Sequence, residues 1–223
     1  IKNCNALPRY EPVETEEETS SSSIQIQATL SLMKERSQLH EHHLALLALI
    51  GMWQETKQED RQAVCEILHI DEAGLEACQQ ELIDSEPPLM LTEGSLVRIF
   101  KRRSAWRATA GKVSSVMVER FLHAAKEQLA KVDRRLDVLP EERLFSDEQS
   151  GFSVSETLRI GLAEGLAILG VHYDCCSRVE QSVRANWTGV FVRTCLQNAD
   201  WKTWASLDDL LPYLAEAAPD EYL

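Results

Sequence analysis

Two stretches of this chain are too apolar to face water on any side, and the rest of the sequence must be arranged to cover them. Leu44, Leu46, Leu47, Leu49, Ile50 and Trp53 predict a nearly all-apolar helix from His42 to Trp53. A helix with no polar stripe has to be buried on most of its surface. The second stretch, LRIGLAEGLAILG from Leu158 to Gly170, holds only Arg159 and Glu164 as charges, so burial nearly all round is expected again. Gly161 and Gly165 each cost about 1 kcal/mol against Ala in a helix interior. Their four-residue spacing puts both on one face, where they let another backbone approach closely. Ser155 is the expected N-cap of this helix and Gly170 its C-terminal cap.

The segments around these helices read as follows. Residues 1–25, with Glu11, Glu14, Glu16 to Glu18 and Ser20 to Ser23, have too little apolar surface to order alone and are expected to be a linker. A lead helix follows from about Ile24 to Gln38. Thr56 to Glu59 has the form of a capping box opening a helix with Ala63, Val64, Ile67 and Leu68 inward. Asp71 caps the next, through Leu75, Cys78 and Leu82, and Pro87-Pro88 ends it. Leu89 to Leu91 and Leu96 to Phe100, joined across Gly94, predict a short β-hairpin. Three helices and a hairpin make a winged-helix-like layout, so residues 26–101 are read as a lead helix plus that domain.

Residues 102–223 carry mainly helical patterns in the style of an α-solenoid, without a fixed-period repeat. Val118, Phe121, Leu122, Ala125 and Leu129 stripe one helix; Val183, Trp187, Val190, Phe191 and Cys195 stripe another. Asp200 can cap a short helix bearing Trp201 and Trp204, both expected in the core. A further helix from near Asp208 accommodates Pro212 in its first turn, and Pro219-Asp220-Glu221 looks like one more helix opening. The predicted fold class is therefore mainly α, a winged-helix-like domain followed by helical hairpins. The last opening helix, and a first residue that is not Met, suggest a segment of a longer array.

Charge narrows the function. With 36 acids against 23 bases the net charge is −13, which disfavours general nucleic-acid binding. The third helix of the winged-helix-like unit carries Asp71, Glu72, Glu76, Glu81 and Asp84 and no Lys or Arg, so DNA binding through it is not expected. Lys101, Arg102, Arg103 and Arg107 form the one basic cluster singled out as a candidate interaction site. No run reaches the roughly 18 apolar residues of a membrane span, and a reduced cytoplasmic protein is the expectation for six cysteines without CxxC spacing.

Catalytic signatures are missing. Gly111-Lys112 has Trp106 where a phosphate-binding loop needs its first Gly, and Val113 where it needs Ser or Thr. His40, His42 and His43 do not share a helix face, so solvent-facing histidines are expected in place of a metal site. Cys175-Cys176 are read as ordinary free thiols. No catalytic, cofactor-binding or metal residue is assigned; Gly161, Gly165, Trp201 and Trp204 are assigned to packing.

Four stretches together resemble a known family: LALLALIGMW, PLMLTEGSLVRIF followed by Trp106, LRIGLAEGLAILG, and ADWKTWASLDDLLPYLAEAAPDEYL. Their order resembles the region after the ATPase core in large bacterial STAND P-loop NTPases, the class that includes antiviral Avs proteins. The resemblance implies a parent with an effector, an ATP- and Mg-binding core upstream, this winged helix, and a helical-repeat sensor for a foreign, often phage, protein. It also implies homo-oligomerisation of the parent and a winged helix that packs on the core without reading DNA. No histidine here matches the family's phosphate-sensing position, so His69 and His123 stay unassigned. A helical protein-interaction scaffold is the alternative, and a winged-helix nucleic-acid-binding regulator the third reading.

Overall fold

The computed structural model describes residues 15–33, 40–138, 151–197 and 199–222. The architecture is mainly α-helical with one small antiparallel sheet and several helical hairpins.

Helix α1 (Glu16–Met33) begins inside the stretch expected to be a linker. Its N-terminus is a capping box that the sequence reading passed over: the Thr15 amide and hydroxyl both donate to the Glu18 carboxylate at 2.9 Å, and the Glu18 amide donates back to Thr15 Oγ1 at 3.3 Å. The hydroxyls of Thr19, Ser23, Thr29 and Ser31 then donate to carbonyls four residues back, so a polar run satisfies itself along the helix. Thr19, Ser22, Ile26, Thr29 and Leu30 are buried, and the helix is described as far as Met33; its expected end at Gln38 lies outside the described residues. Residues 1–14 and 34–39 lie outside the described residues.

Helix α2 (Glu41–Ile50) holds seven consecutive buried residues, Leu44 to Ile50. It stops sooner than its apolar run suggests. Gly51 takes φ +77, a conformation L side chains rarely adopt, and turns the chain into strand β1 (Met52–Gln54), where Trp53 is fully buried. Helices α3 (Gln58–Leu68) and α4 (Glu72–Ile83) follow. The Thr56 box is not made: Lys57 occupies the N-cap of α3 without a side-chain bond. The α4 cap is as expected, with Asp71 accepting from the Gly74 amide at 2.8 Å. Strands β2 (Met90–Glu93) and β3 (Leu96–Ile99) form the hairpin about Gly94. β3 lies in the middle of an antiparallel sheet ordered β1-β3-β2, with Trp53 opposite Val97 and Met90 opposite Ile99.

Helix α5 (Arg102–Thr109) and a single turn at Ala110–Lys112 lead to α6 (Ser115–Leu129). Helix α7 (Glu156–Val171) is buried over most of Leu158 to Leu169, as the sequence requires, and packs on α2, β1 and α6 among others. Ser155 caps it by accepting from the Leu158 amide at 3.0 Å. Gly170 does not end it. The helix runs one residue further, and a Cβ at Gly170 would sit 2.2 Å from the Ala217 carbonyl oxygen, so this glycine marks a third close approach. The expected helix through Val183 and Cys195 is broken into α8 (Gln181–Arg184) and α9 (Trp187–Leu196); Trp187 and Phe191 turn inward, whereas Val183 and Val190 face out. Asp200 caps α10 (Trp201–Leu207). A tight turn at Asp208–Leu210 precedes α11 (Leu211–Ala217), with Pro212 in its first turn, and α12 (Pro219–Tyr222) opens at the expected proline.

Candidate functional site

The four residues of the basic cluster have four different fates, because the phase of α5 turns them to different sides. Lys101 takes a left-handed φ of +50 immediately before the helix, and its ammonium donates to Ser22 Oγ on α1 at 2.8 Å. Arg102 points inward and is buried. Its Nε donates to the Ala48 carbonyl at 3.0 Å, and Nη2 to the carbonyls of Leu49 and Gly161 at 2.9 Å each; Nη1 pairs with Glu164. As a surface interaction residue Arg102 is therefore ruled out. Its guanidinium is consumed in joining the end of α2 to α7. The fork suits the task, since carbonyls left without partners at the end of a buried helix are costly. Arg103 reaches Glu216 on α11 at 3.2 Å, a partly exposed pair. Arg107, one turn further along α5, has no carboxylate partner among the described residues and stays half-exposed.

The two glycines sit where the sequence placed them and face a partner it could not name. A Cβ at Gly165 would lie 1.9 Å from the Leu49 carbonyl oxygen, and one at Gly161 2.4 Å from that of Ile50. So α7 lies directly against the backbone at the α2–β1 turn. Gly51 completes this joint. A Cβ there would strike the Arg102 guanidinium carbon at 2.0 Å, in addition to the strain at its φ.

Two further buried charges, absent from the sequence-based candidates, hold the same region. Asp60 on α3 is fully buried. One oxygen accepts from the Ser155 amide at 2.7 Å, and the other from the Ser155 hydroxyl and from the Gln54 amide at 2.9 Å. Arg159 on α7 donates to the carbonyls of Gln128 at 2.6 Å and Ser206 at 2.8 Å, and its guanidinium lies 3.5 Å from the Phe152 ring centroid. Burial pulls its pKa down to about 10, which still leaves it charged at neutral pH. Arg159 was visible as a lone cation in an apolar run; Asp60 carried no such signal.

Trp201 and Trp204 are not core residues. They are 60% and 39% exposed, because the buried face of α10 is supplied by Leu207. Trp53, Trp106 and Trp187 are the buried ones.

The remaining candidates do not assemble catalytic chemistry. His40, His42 and His43 pack ring to ring, with centroids 4.3 to 5.4 Å apart, and Arg120 adds positive charge near His42. Burial, then the neighbouring imidazoles, push His43 down to about 4. Among the described residues no group of three or more His, Cys, Asp or Glu is placed to hold a metal ion. Burial raises the thiols of Cys176 to about 12 and Cys195 to about 11, so neither is a ready thiolate. Gly111 and Lys112 lie in a short turn with the Lys112 ammonium 3.5 Å from Glu41, which is not a phosphate cradle; the residues present do not fit a nucleotide. No helix among the described residues is long and apolar enough to cross a membrane. No family model, curated protein or solved structure matches the chain.

Proposed function

We propose that this chain is a non-catalytic regulatory and sensor segment of a bacterial STAND NTPase, acting in antiphage defence in the cytoplasm. In this reading α2, β1, α3, α4, β2 and β3 are a winged-helix domain, and α5 to α12 are the first hairpins of the helical sensor. The order helix, strand, two helices and a two-strand wing supports the first assignment. The acidic α4, whose Glu76 and Glu72 pair with Arg61 on α3, supports a winged helix that does not read DNA through this helix.

The observation that carries the reading is the buried joint. Arg102, Gly161 and Gly165 lock α7 onto the α2–β1 turn, so a movement of the hairpins must move the winged helix or break buried polar contacts. That is the coupling a ligand sensor needs in order to bias a nucleotide core packed on the winged helix. The nucleotide and Mg would belong to that upstream core, as would any oligomerisation driven by it.

Two measurements test the proposal. The coding sequence upstream of Ile1 should contain a Walker A motif, and isothermal calorimetry with ATP should give no binding heat for the 223-residue chain. Saturable ATP binding by this chain would sink the proposal. The exposed Trp201 and Trp204 favour a second reading, a free-standing interaction scaffold. An upstream sequence without a nucleotide-binding core would select it.

A further inference from the structure

Helix α1 is built of residues that hold a helix poorly by themselves. Seven of its 18 residues are Ser or Thr, whose hydroxyls compete with the backbone for hydrogen bonds and lower helix propensity. The back-bonds of Thr19, Ser23, Thr29 and Ser31 satisfy those hydroxyls and weaken the helix slightly at the same time. A peptide of this length and composition is marginal alone in water, so α1 owes its order to the surface it lies on.

That surface is mainly α5. Of the Ile and Leu residues of α1, Ile26 and Leu30 are buried, whereas Ile24 and Leu32 are 69% and 81% exposed. Much of the remaining contact is polar. The Ser23 hydroxyl and the Gln27 amide donate to the Ser104 and Ala108 carbonyls, and the Thr29 hydroxyl to the Glu86 carbonyl at 3.4 Å. The Lys101 ammonium donates to the Ser22 hydroxyl at 2.8 Å. Water can take the place of each of these partners once the helix leaves, so the net hold of each bond is small. Helices α2 and α7 are fixed differently. Seven consecutive residues of α2 are buried, and Gly161 and Gly165 of α7 lie against its backbone, so moving either helix opens the core.

We propose that α1 is a strap that folds as it docks and comes off α5 by itself, while α2 to α12 stay folded. Its two states make it a switch. A ligand of the bared α5 face around Lys101 and Ser104 shifts the balance by its preference for the open state.

The test is hydrogen exchange, resolved by peptide, on the 223-residue chain as wild type, Ile26→Ala and Ile24→Ala. In the wild type, α1 amides should exchange at least about 100-fold faster than those of α2 and α7, since local opening lies far below global unfolding. Ile26→Ala removes a buried anchor and should speed exchange in α1 about tenfold or more, with α2 and α7 within about twofold of the wild type. Ile24→Ala, the same truncation on the exposed face, should leave α1 within about twofold. Protection of α1 equal to that of α2, or acceleration of α2 and α7 in step with α1, would overturn the proposal. So would equal effects of the two truncations, or an Ile26→Ala chain that does not fold.

Discussion

Single side chains decide whether the two apolar helices can meet. At Gly165 even one methyl group would be driven into the Leu49 carbonyl. Gly165→Leu should lower stability by about 1–3 kcal/mol or more through overpacking, read from the denaturant midpoint; an unchanged midpoint would mean α7 does not touch α2 there. Arg102→Met removes the donor to three carbonyls, each a buried acceptor whose loss costs about 1–3 kcal/mol, and leaves the partly exposed Glu164 to water. Trp204, expected in the core by its helical position, is too exposed for the 3–5 kcal/mol of a buried Trp→Ala change. Trp204→Ala should shift the melting temperature little. His43 gives a pH signature. Its folded pKa, about 4, lies below the ordinary 6.5, so the unfolded chain takes up the proton first. Stability from this site is full above pH 6.5 and falls as the pH drops towards 4; His42 and His172, also lowered, act in the same direction. Denaturant melts of wild type and His43→Gln across that window should show a shallower slope in the variant.

At the scale of elements, hydrophobic periodicity located most of what was found, because the signal is local. α3, α4, the β2–β3 hairpin, α6 and α7 follow from stripes, caps and turn residues that lie within a few positions of one another. The misses have local explanations as well. β1 was hidden inside an apolar run, since a buried strand and a buried helix look alike until a glycine such as Gly51 separates them. The second half of α1, from Ile24, was legible as a helix, whereas its first half looked disordered by composition; yet the hydroxyl-rich face docks on α5: the Ser23 hydroxyl donates to the Ser104 carbonyl at 3.1 Å, and the Gln27 amide to that of Ala108 at 3.3 Å. No apolar stripe reports the turns of that first half, which bury Thr19 and Ser22. The site was less legible than the fold. The run Lys101 to Arg107 reads as one patch, and only the phase of α5 sends Arg102 inward while leaving Arg107 outside. The link from Asp60 to Ser155 joins residues 95 positions apart and could not be read from spacing. Asp60→Ala should loosen the Ser155 cap of α7 and leave the Gln54 amide bare together with the Ser155 amide and hydroxyl; each bare buried donor costs about 1–3 kcal/mol. Hydrogen exchange at the start of α7 should accelerate first.

At the scale of the whole molecule, the three-helix unit with its sheet and the helical hairpins should respond as one body. Arg102 and the glycines of α7 fasten the α2–β1 turn, Asp60 fastens α3, and Arg159 ties α6 to α10 through α7. Helix α7 is the shared partner in all of these contacts. A sensor built this way passes strain between its ends through packed backbone, which is what the proposed role in a nucleotide-controlled switch requires. The most direct test is equilibrium hydrogen exchange, resolved by peptide, on the wild type and on Gly165→Leu. Protection should fall together in α3 and α4 at one end and in α10 and α11 at the other. Loss confined to α7 and the helices after it, with α3 and α4 protected as in the wild type, would contradict the claim.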